Sequence, residues 1–199
     1  MNVAIIKYNA GNIMSVDYAL QRLGVTAEIT DNHEWIQSAD KVIFPGVGEA
    51  STTMKYLKAR KLDLLLASLK QPVLGICLGL QLMCRHSEEG DTDCIGIFSE
   101  KVKKFVPRDN GDAKLKVPHM GWNQIYNLKG NLFSDHLDKS FTYFVHSYYA
   151  ATGPETIATC NYVVPFSAAL QRDNFYATQF HPEKSSKPGN EIIKNFLAL

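Results

Sequence analysis

A chain of 199 residues, 45% hydrophobic and 21% charged, is long enough to bury one substantial core and has ordinary globular usage. Disordered and fibrous architectures are excluded, and residues 1–199 are expected to form a single domain. With a formal net charge of +1 and scattered lysines, polyanion binding is not expected; the short run Lys101, Lys103, Lys104 is expected to decorate a solvated strand edge.

In chain order, the β-branched run Val3 to Lys7 reads as a strand. After the breaker "YNAGN", a helical pattern through Val16, Leu20 and Leu23 stops at Gly24. Ala27 to Thr30 and Lys41 to Gly46 are the next extended pieces. Met54, Leu57, Leu62, Leu65 and Leu69 mark helical stretches, and Pro72 to Ile76 is a further strand. Short apolar strands alternating with helices predict a mainly parallel sheet covered on both faces. From Ile95 onward the pieces "KVKKF", "FTYFVHSYYA", "TIATC", "SAALQ" and "FYATQF" predict further strands and a β-rich, partly antiparallel extension. A last helix is expected over about Gly189 to Leu199. Nothing repeats at a fixed period, and Val106 to Pro118 reads as a surface loop.

The four cysteines, Cys77, Cys84, Cys94 and Cys160, form no C-x-x-C pair. No histidines cluster at zinc-finger spacing, so no structural metal is expected. The N-terminus has no basic leader and its apolar run, Val3 to Ile6, is only four residues, so a cytoplasmic place with reduced thiols is expected.

Ligands of open parallel sheets bind beyond the carboxyl ends of the strands, which directs attention to three strand-to-helix turns. In "GICLG", Cys77 stands between Gly75 and Gly79. A residue so placed sits on a sharp turn like the G-x-S-x-G elbow of hydrolases, with its thiolate favoured by the following helix N-terminus. A buried cysteine acting as a small hydrophobe fits the same residues. In "FHPEK", His181 and Glu183 point the same way if the segment stays extended, and would supply a base and its orienter; a surface His and Glu on a loop is the alternative. In "FPGVGE", Gly46 and Gly48 can turn backbone N–H groups toward an oxyanion, although a plain turn reads equally well. His33, His86 and His136 stand in polar stretches and are expected to be exposed. His119 and His146 lie in the denser segments "VPHMGWN" and "FVHSYY".

With "PGVG", "GICLGLQ" and "FHPEK" in this order, the sequence resembles the class I (triad) glutamine amidotransferases over essentially its whole length. The segments "YNAGNIMSV", "SEEG", "PHMGWN", "YFVHSYYA" and "HPEKS" carry a finer resemblance, to the branch that feeds ammonia to a separate cyclase in histidine biosynthesis. The resemblance implies a three-layer α/β/α, flavodoxin-like fold and no cofactor. It implies Cys77 as nucleophile on the glutamine amide, His181 as base and then acid, and Glu183 as orienter. The oxyanion would be held by the N–H of Leu78 and by the loop of Val47 and Gly48 once that loop is turned. Gly46 and Gln81 match substrate-binding positions, Glu89 the acid for the substrate ammonium, and Ser147 and Tyr148 the segment for its α-carboxylate.

Free ammonia in neutral water is mostly protonated, and the chain shows no phosphate- or nucleotide-binding motif for an acceptor. A partner is therefore expected, and the resemblance implies a (β/α)₈ cyclase in a heterodimer. Asn12, Trp122 and Lys184 match positions at or near that contact, although ordinary surface or core roles fit them too. Alternatives are a paralogous glutaminase serving a sugar-modifying synthase and a catalytically silent scaffold; "PHMGWN" argues against a pyridoxal-phosphate branch.

Overall fold

The computed structural model describes residues 1–8, 13–107 and 115–199. Its first half alternates as expected: β1 (Val3–Ile6), α1 (Ile13–Arg22), β2 (Ala27–Thr30), α2 (His33–Ser38), β3 (Lys41–Phe44), α3 (Ala50–Ala59), α4 (Leu62–Ser68), β4 (Val73–Ile76) and α5 (Leu78–Met83). The second half is strand-rich: β5 (His86–Ser87), β6 (Thr92–Asp93), β7 (Lys101–Lys104), β8 (His119–Gln124), β9 (Phe141–His146), β10 (Tyr148–Ala150), β11 (Thr156–Asn161), β12 (Pro165–Arg172) and β13 (Phe175–Thr178), before α6 (Ser186–Ala198). Among the described residues no helix is long and apolar enough to cross a membrane.

A seven-stranded sheet of order β11-β12-β13-β4-β3-β1-β2 organises the fold. Neighbours from β2 through β13 pair in parallel, and β12 and β11 add an antiparallel edge. The central strands β1, β3, β4 and β13 are buried at every residue, so their side chains alternate between two cores. Val3 and Ile5 pack with α1 and α6 on one face, through Leu20, Ile192 and Phe196. Ala4 and Ile6 pack with α3, α4 and α5 on the other, through Leu57, Leu66 and Leu80. Helices on both faces of a mainly parallel sheet give the expected three-layer architecture.

Two small sheets stand apart: β10-β7-β5-β6 and the antiparallel ribbon β8-β9. They correct the reading of the lysine run. β7 pairs with β10 on one side and β5 on the other, so Lys101, Lys103 and Lys104 project from an interior strand, where backbone pairing is satisfied and only side chains meet water. The short helix α2 escaped the sequence pattern because it buries a single residue, Ile36; Asn32 caps it by accepting from the Trp35 N–H. The last helix begins at Ser186, before the expected Gly189, and packs Gly189 against the Pro182 carbonyl, where a Cβ would not fit. Most of the loop expected between Val106 and Pro118 lies outside the described residues.

Candidate active site

β3, β4 and β13 are adjacent and parallel, so the turns after all three emerge together at one edge of the sheet. That places the loop Pro45–Gly48, the thiol of Cys77 and the imidazole of His181 side by side, although they are far apart in sequence.

Cys77 has φ 53° and ψ −104°, a conformation most L-residues avoid, and the surrounding backbone imposes it. Its N–H donates to the Thr178 carbonyl at 2.7 Å, and its carbonyl accepts from the Gln81 N–H at 3.2 Å. The flanking glycines are matters of volume. A Cβ on Gly75 would stand 2.6 Å from Met83 Sδ, and one on Gly79 would overlap the Phe44 carbonyl oxygen. The elbow exists because α5 lies against β3 with no room for a side chain. The sulfur lies 3.8 Å from the Val145 carbonyl and 3.7 Å from Gln179 Nε2.

His181 and Glu183 are buried, and His181 Nδ1 lies 2.7 Å from Glu183 Oε1. The segment is not extended as expected: Pro182–Lys184 forms a 3₁₀ turn. The two side chains meet because His181 itself is extended and the turn folds Glu183 back beneath it. Ser185 locks this arrangement, its hydroxyl donating to the His181 carbonyl at 2.6 Å and accepting from the Tyr143 N–H at 2.9 Å. Nε2 of His181 is buried and makes no hydrogen bond of ordinary geometry; Cys77 is its electrostatic partner. Burial opposes the imidazolium, but the facing Cys77 charge and the contact with Glu183 outweigh it and push His181 up to about 10. A charged imidazole opposite a sulfur suits attack on a carbonyl carbon followed by proton delivery to the leaving group.

The loop of Pro45 to Gly48 is closed against the elbow. The Leu78 N–H donates to the Gly46 carbonyl at 3.4 Å, so an acceptor occupies the place where an oxyanion would need donors. Tyr8 anchors the loop from beneath, its buried hydroxyl donating to the Pro45 carbonyl at 2.5 Å. Gly46 is obligatory here, because a Cβ would stand 2.5 Å from that hydroxyl and 2.7 Å from Leu78 Cβ.

A cavity of about 330 Å³ opens beside Cys77. Val47, Gly48 and Leu78 line one part of it, and Gln81, Glu89, Ser147 and Tyr148 are among the residues that line the rest. The structure thus gathers the candidate substrate residues around the cavity except Gly46, which belongs to the closed loop and does not line it. Glu89 accepts from the Ala50 N–H at 2.8 Å; burial raises its carboxyl pKa, assisted by Glu49 and opposed by that N–H. Gln81 is buried, and its amide nitrogen donates to the Tyr148 carbonyl at 2.9 Å and to Gln179 Oε1 at 3.1 Å. Its donors therefore hold the cavity wall.

Trp122 is 52% exposed on β8, in register with Tyr143 of β9, whose carbonyl accepts from the His181 N–H at 2.9 Å. Lys184 is exposed on the 3₁₀ turn. Asn12 lies outside the described residues. Of the remaining histidines, His33 lies 3.0 Å from the Arg60 carbonyl, His86 between Asp91 and Asp93, and His136 beside Glu191. His119 and His146 are buried together. Tyr8, Gln179 and Ser185 were given no role in the sequence reading, although Tyr8 opens "YNAGNIMSV", Gln179 stands two residues before His181 and Ser185 ends "HPEKS".

These turns, strands and cavity define a class, and the chain belongs to the class-I glutamine amidotransferases: the family model "Glutamine amidotransferase class-I" matches residues 4–199. Among its relatives, the imidazole glycerol phosphate synthase subunit HisH of Bacteroides thetaiotaomicron is 61% identical over 199 residues, covering 100% of both chains. The HisH subunit of Pasteurella multocida is 49% identical over 197 residues, covering 98% of this chain and 97% of its own. That of Escherichia coli is 45% identical over 201 residues, covering 100% of both. Among solved structures, a glutamine amidotransferase superposes with a TM-score of 0.73 at 16% identity, covering 98% of this chain and 97% of that one. At that identity the likeness is one of fold.

Proposed function

We propose that this chain is the glutaminase subunit of an imidazole glycerol phosphate synthase, acting as one glutamine amidotransferase domain over 1–199 in the cytoplasm. The observation that carries the reading is the placement of Cys77 on its elbow, beside a cavity and opposite the buried His181–Glu183 pair. The full-length likeness to HisH subunits supports the choice of synthase.

In this reading the Cys77 sulfur attacks the side-chain amide carbon of glutamine, and the carbonyl oxygen becomes an oxyanion. His181 gives its proton to the amide nitrogen, the C–N bond breaks, and ammonia leaves a γ-glutamyl thioester. Water then loses a proton to His181 and attacks the thioester; the thiolate leaves, glutamate departs with its new carboxyl proton released to solvent, and the thiolate–imidazolium pair is restored. Glu183 holds His181 in orientation through Nδ1. Glu89 receives the substrate ammonium, and the Ser147–Tyr148 segment its α-carboxylate. The chemistry draws only on side chains and backbone of this chain.

The partner in this reading is the (β/α)₈ cyclase subunit HisF, which takes the ammonia and forms imidazole glycerol phosphate and an aminoimidazole carboxamide ribotide. Trp122 and Lys184 are the described residues proposed for the contact, and Asn12 is proposed with them. Because the Leu78 N–H is engaged by Gly46, the isolated chain is expected to hydrolyse glutamine slowly. A complex whose Val47–Gly48 loop has turned gains an oxyanion donor, worth on the order of 10²- to 10³-fold in kcat.

The test is glutamate formation by the chain alone, with the cyclase, and with cyclase plus its phosphoribosyl-formimino acceptor. Stimulation by partner and acceptor, abolished by Cys77→Ala, is expected. Undiminished turnover in Cys77→Ala removes the catalytic assignment. Stimulation only by a sugar-modifying synthase moves the chain to the paralogous pathway, and no turnover with any synthase leaves the scaffold reading.

A further inference from the structure

His146 lines the cavity immediately before Ser147, and His119 lies directly across the ribbon from it. Both are buried, and neither has a part in the chemistry above. Their surroundings order their protons. The Tyr148 carbonyl can only accept, so His146 Nδ1, 2.7 Å away, carries a hydrogen. In a neutral ring that leaves His146 Nε2 as an acceptor, and His119 Nδ1, at 3.0 Å, must donate to it. His119 Nε2 is then the acceptor for Asn123 Nδ2 at 3.3 Å, and the same amide donates to the Asn161 carbonyl at 2.9 Å. Either ring in its other neutral tautomer would set acceptor against acceptor or donor against donor.

The pair is also held neutral. Burial pushes His119 down to about 4; burial pushes His146 down to about 3, against the Tyr148 carbonyl and with the charges of His119 and His181. Phe105, Phe144, Tyr162 and Phe166 pack around His119, and Phe105, Phe144 and Phe166 around His146. These rings bring no counter-charge.

The chain of donors ends where the substrate is expected. The Tyr148 carbonyl is the shared acceptor of His146 and Gln81, and the Ser147 carbonyl takes the Phe105 N–H at 3.0 Å. We propose that His119 and His146 are positioning residues for the glutamine site: their ordered hydrogen-bond chain ties β8 to the Ser147–Tyr148 turn and holds that turn in the shape that grips the α-carboxylate. This rests on the glutaminase reading and deepens it by assigning the residues that shape the carboxylate subsite from behind.

The test uses the reconstituted complex with the cyclase. His119→Leu, which removes the donor to His146, is expected to raise the glutamine KM about tenfold with kcat changed less than about twofold. His119→Asn, whose amide nitrogen stands where Nδ1 stood, is expected to recover most of that loss. Wild-type KM in His119→Leu, or equal damage in the Leu and Asn variants, overturns the proposal. Should His119→Leu fail to fold, the Asn variant and ¹⁵N spectra of labelled histidines decide. Both rings are expected as neutral Nδ1–H tautomers between about pH 5 and 8, and an Nε2–H signature for either overturns the proposal. An active wild type with an indifferent His119→Leu sinks this inference alone; a wild-type complex that forms no glutamate sinks the glutaminase reading and this inference with it.

Discussion

The two sides of the cavity are built to different rules. On the nucleophile side, β3, β4 and β13 are buried throughout, and α5 packs so closely that Gly75 and Gly79 have no space for a Cβ. On the other side, the ribbon β8-β9 buries only His119, Thr142, Phe144 and His146 and exposes Met120, Trp122 and Phe141. Close backbone packing shapes the first side, and the second adds a chain of directional hydrogen bonds to its aromatic packing. Their histidines differ accordingly: His181 is pushed toward its charged form by Cys77 and Glu183, whereas His119 and His146 are kept neutral by burial among aromatic rings. A nucleophile needs a fixed backbone, whereas the ribbon is held through an ordered chain of donors and acceptors.

The contrast can be broken first at the orienting carboxylate. Glu183→Gln keeps the volume but removes the charge that orients His181 and, with Cys77, keeps it charged; kcat for glutamate formation in the complex is expected to fall by roughly 10²- to 10⁴-fold, and the thermal midpoint to drop because the buried imidazolium loses its carboxylate. A loss below about tenfold would move Glu183 out of the triad. Next comes the elbow itself. Gly79→Ala drives a methyl group into the Phe44 carbonyl, and chemical denaturation is expected to show a loss of about 3 kcal/mol or more.

The opposed histidines predict opposite pH windows. His181 is raised in the folded state, so its stabilisation is present below its unfolded value of ~6.5 and is lost as pH climbs through about 10. The stability gap between wild type and His181→Asn should therefore narrow as pH rises from about 7 to about 10. His119 and His146 are lowered, so the unfolded chain takes up those protons first and stability falls below ~6.5 until about 4 and about 3 respectively. The gap between wild type and His119→Asn should narrow toward acid, and thermal scans of the three proteins across this range check both signs. The smallest effect is at the surface. Trp122→Ala is expected to change the stability of the isolated chain by no more than about 0.5 kcal/mol while weakening cyclase binding by about 2 kcal/mol in calorimetry. Equal affinity would take Trp122 out of the contact.

Legibility in the sequence followed the range of the forces involved. β1, α1, β3, β4 and Cys77 between two glycines were readable because each depends on neighbours within one strand or turn. The fate of Lys101, Lys103 and Lys104 was not, since whether a strand is an edge depends on two other strands, one of them more than 40 residues away. The His181–Glu183 contact was expected for a geometry the chain does not adopt: a 3₁₀ turn, tied by Ser185 to Tyr143 of β9, brings the side chains together in place of an extended segment. The contacts of Gln179 with Cys77, of Tyr8 with Pro45 and of His119 with His146 were not readable, because each joins residues distant in sequence.

By itself, then, the sequence determined the alternation of strands and helices, the three turns that carry unusual residues, and the family to which their order belongs. Those properties are local, set by hydrophobic period and by where glycine is required. Only the tertiary structure decided that the Leu78 N–H is engaged by Gly46, that Gln81 spends its donors on Tyr148 and Gln179, and that two buried imidazoles share one direction of hydrogen bonding. Each depends on which donor meets which acceptor once β3, β4, β9 and β13 are brought together, and no spacing along the chain encodes that.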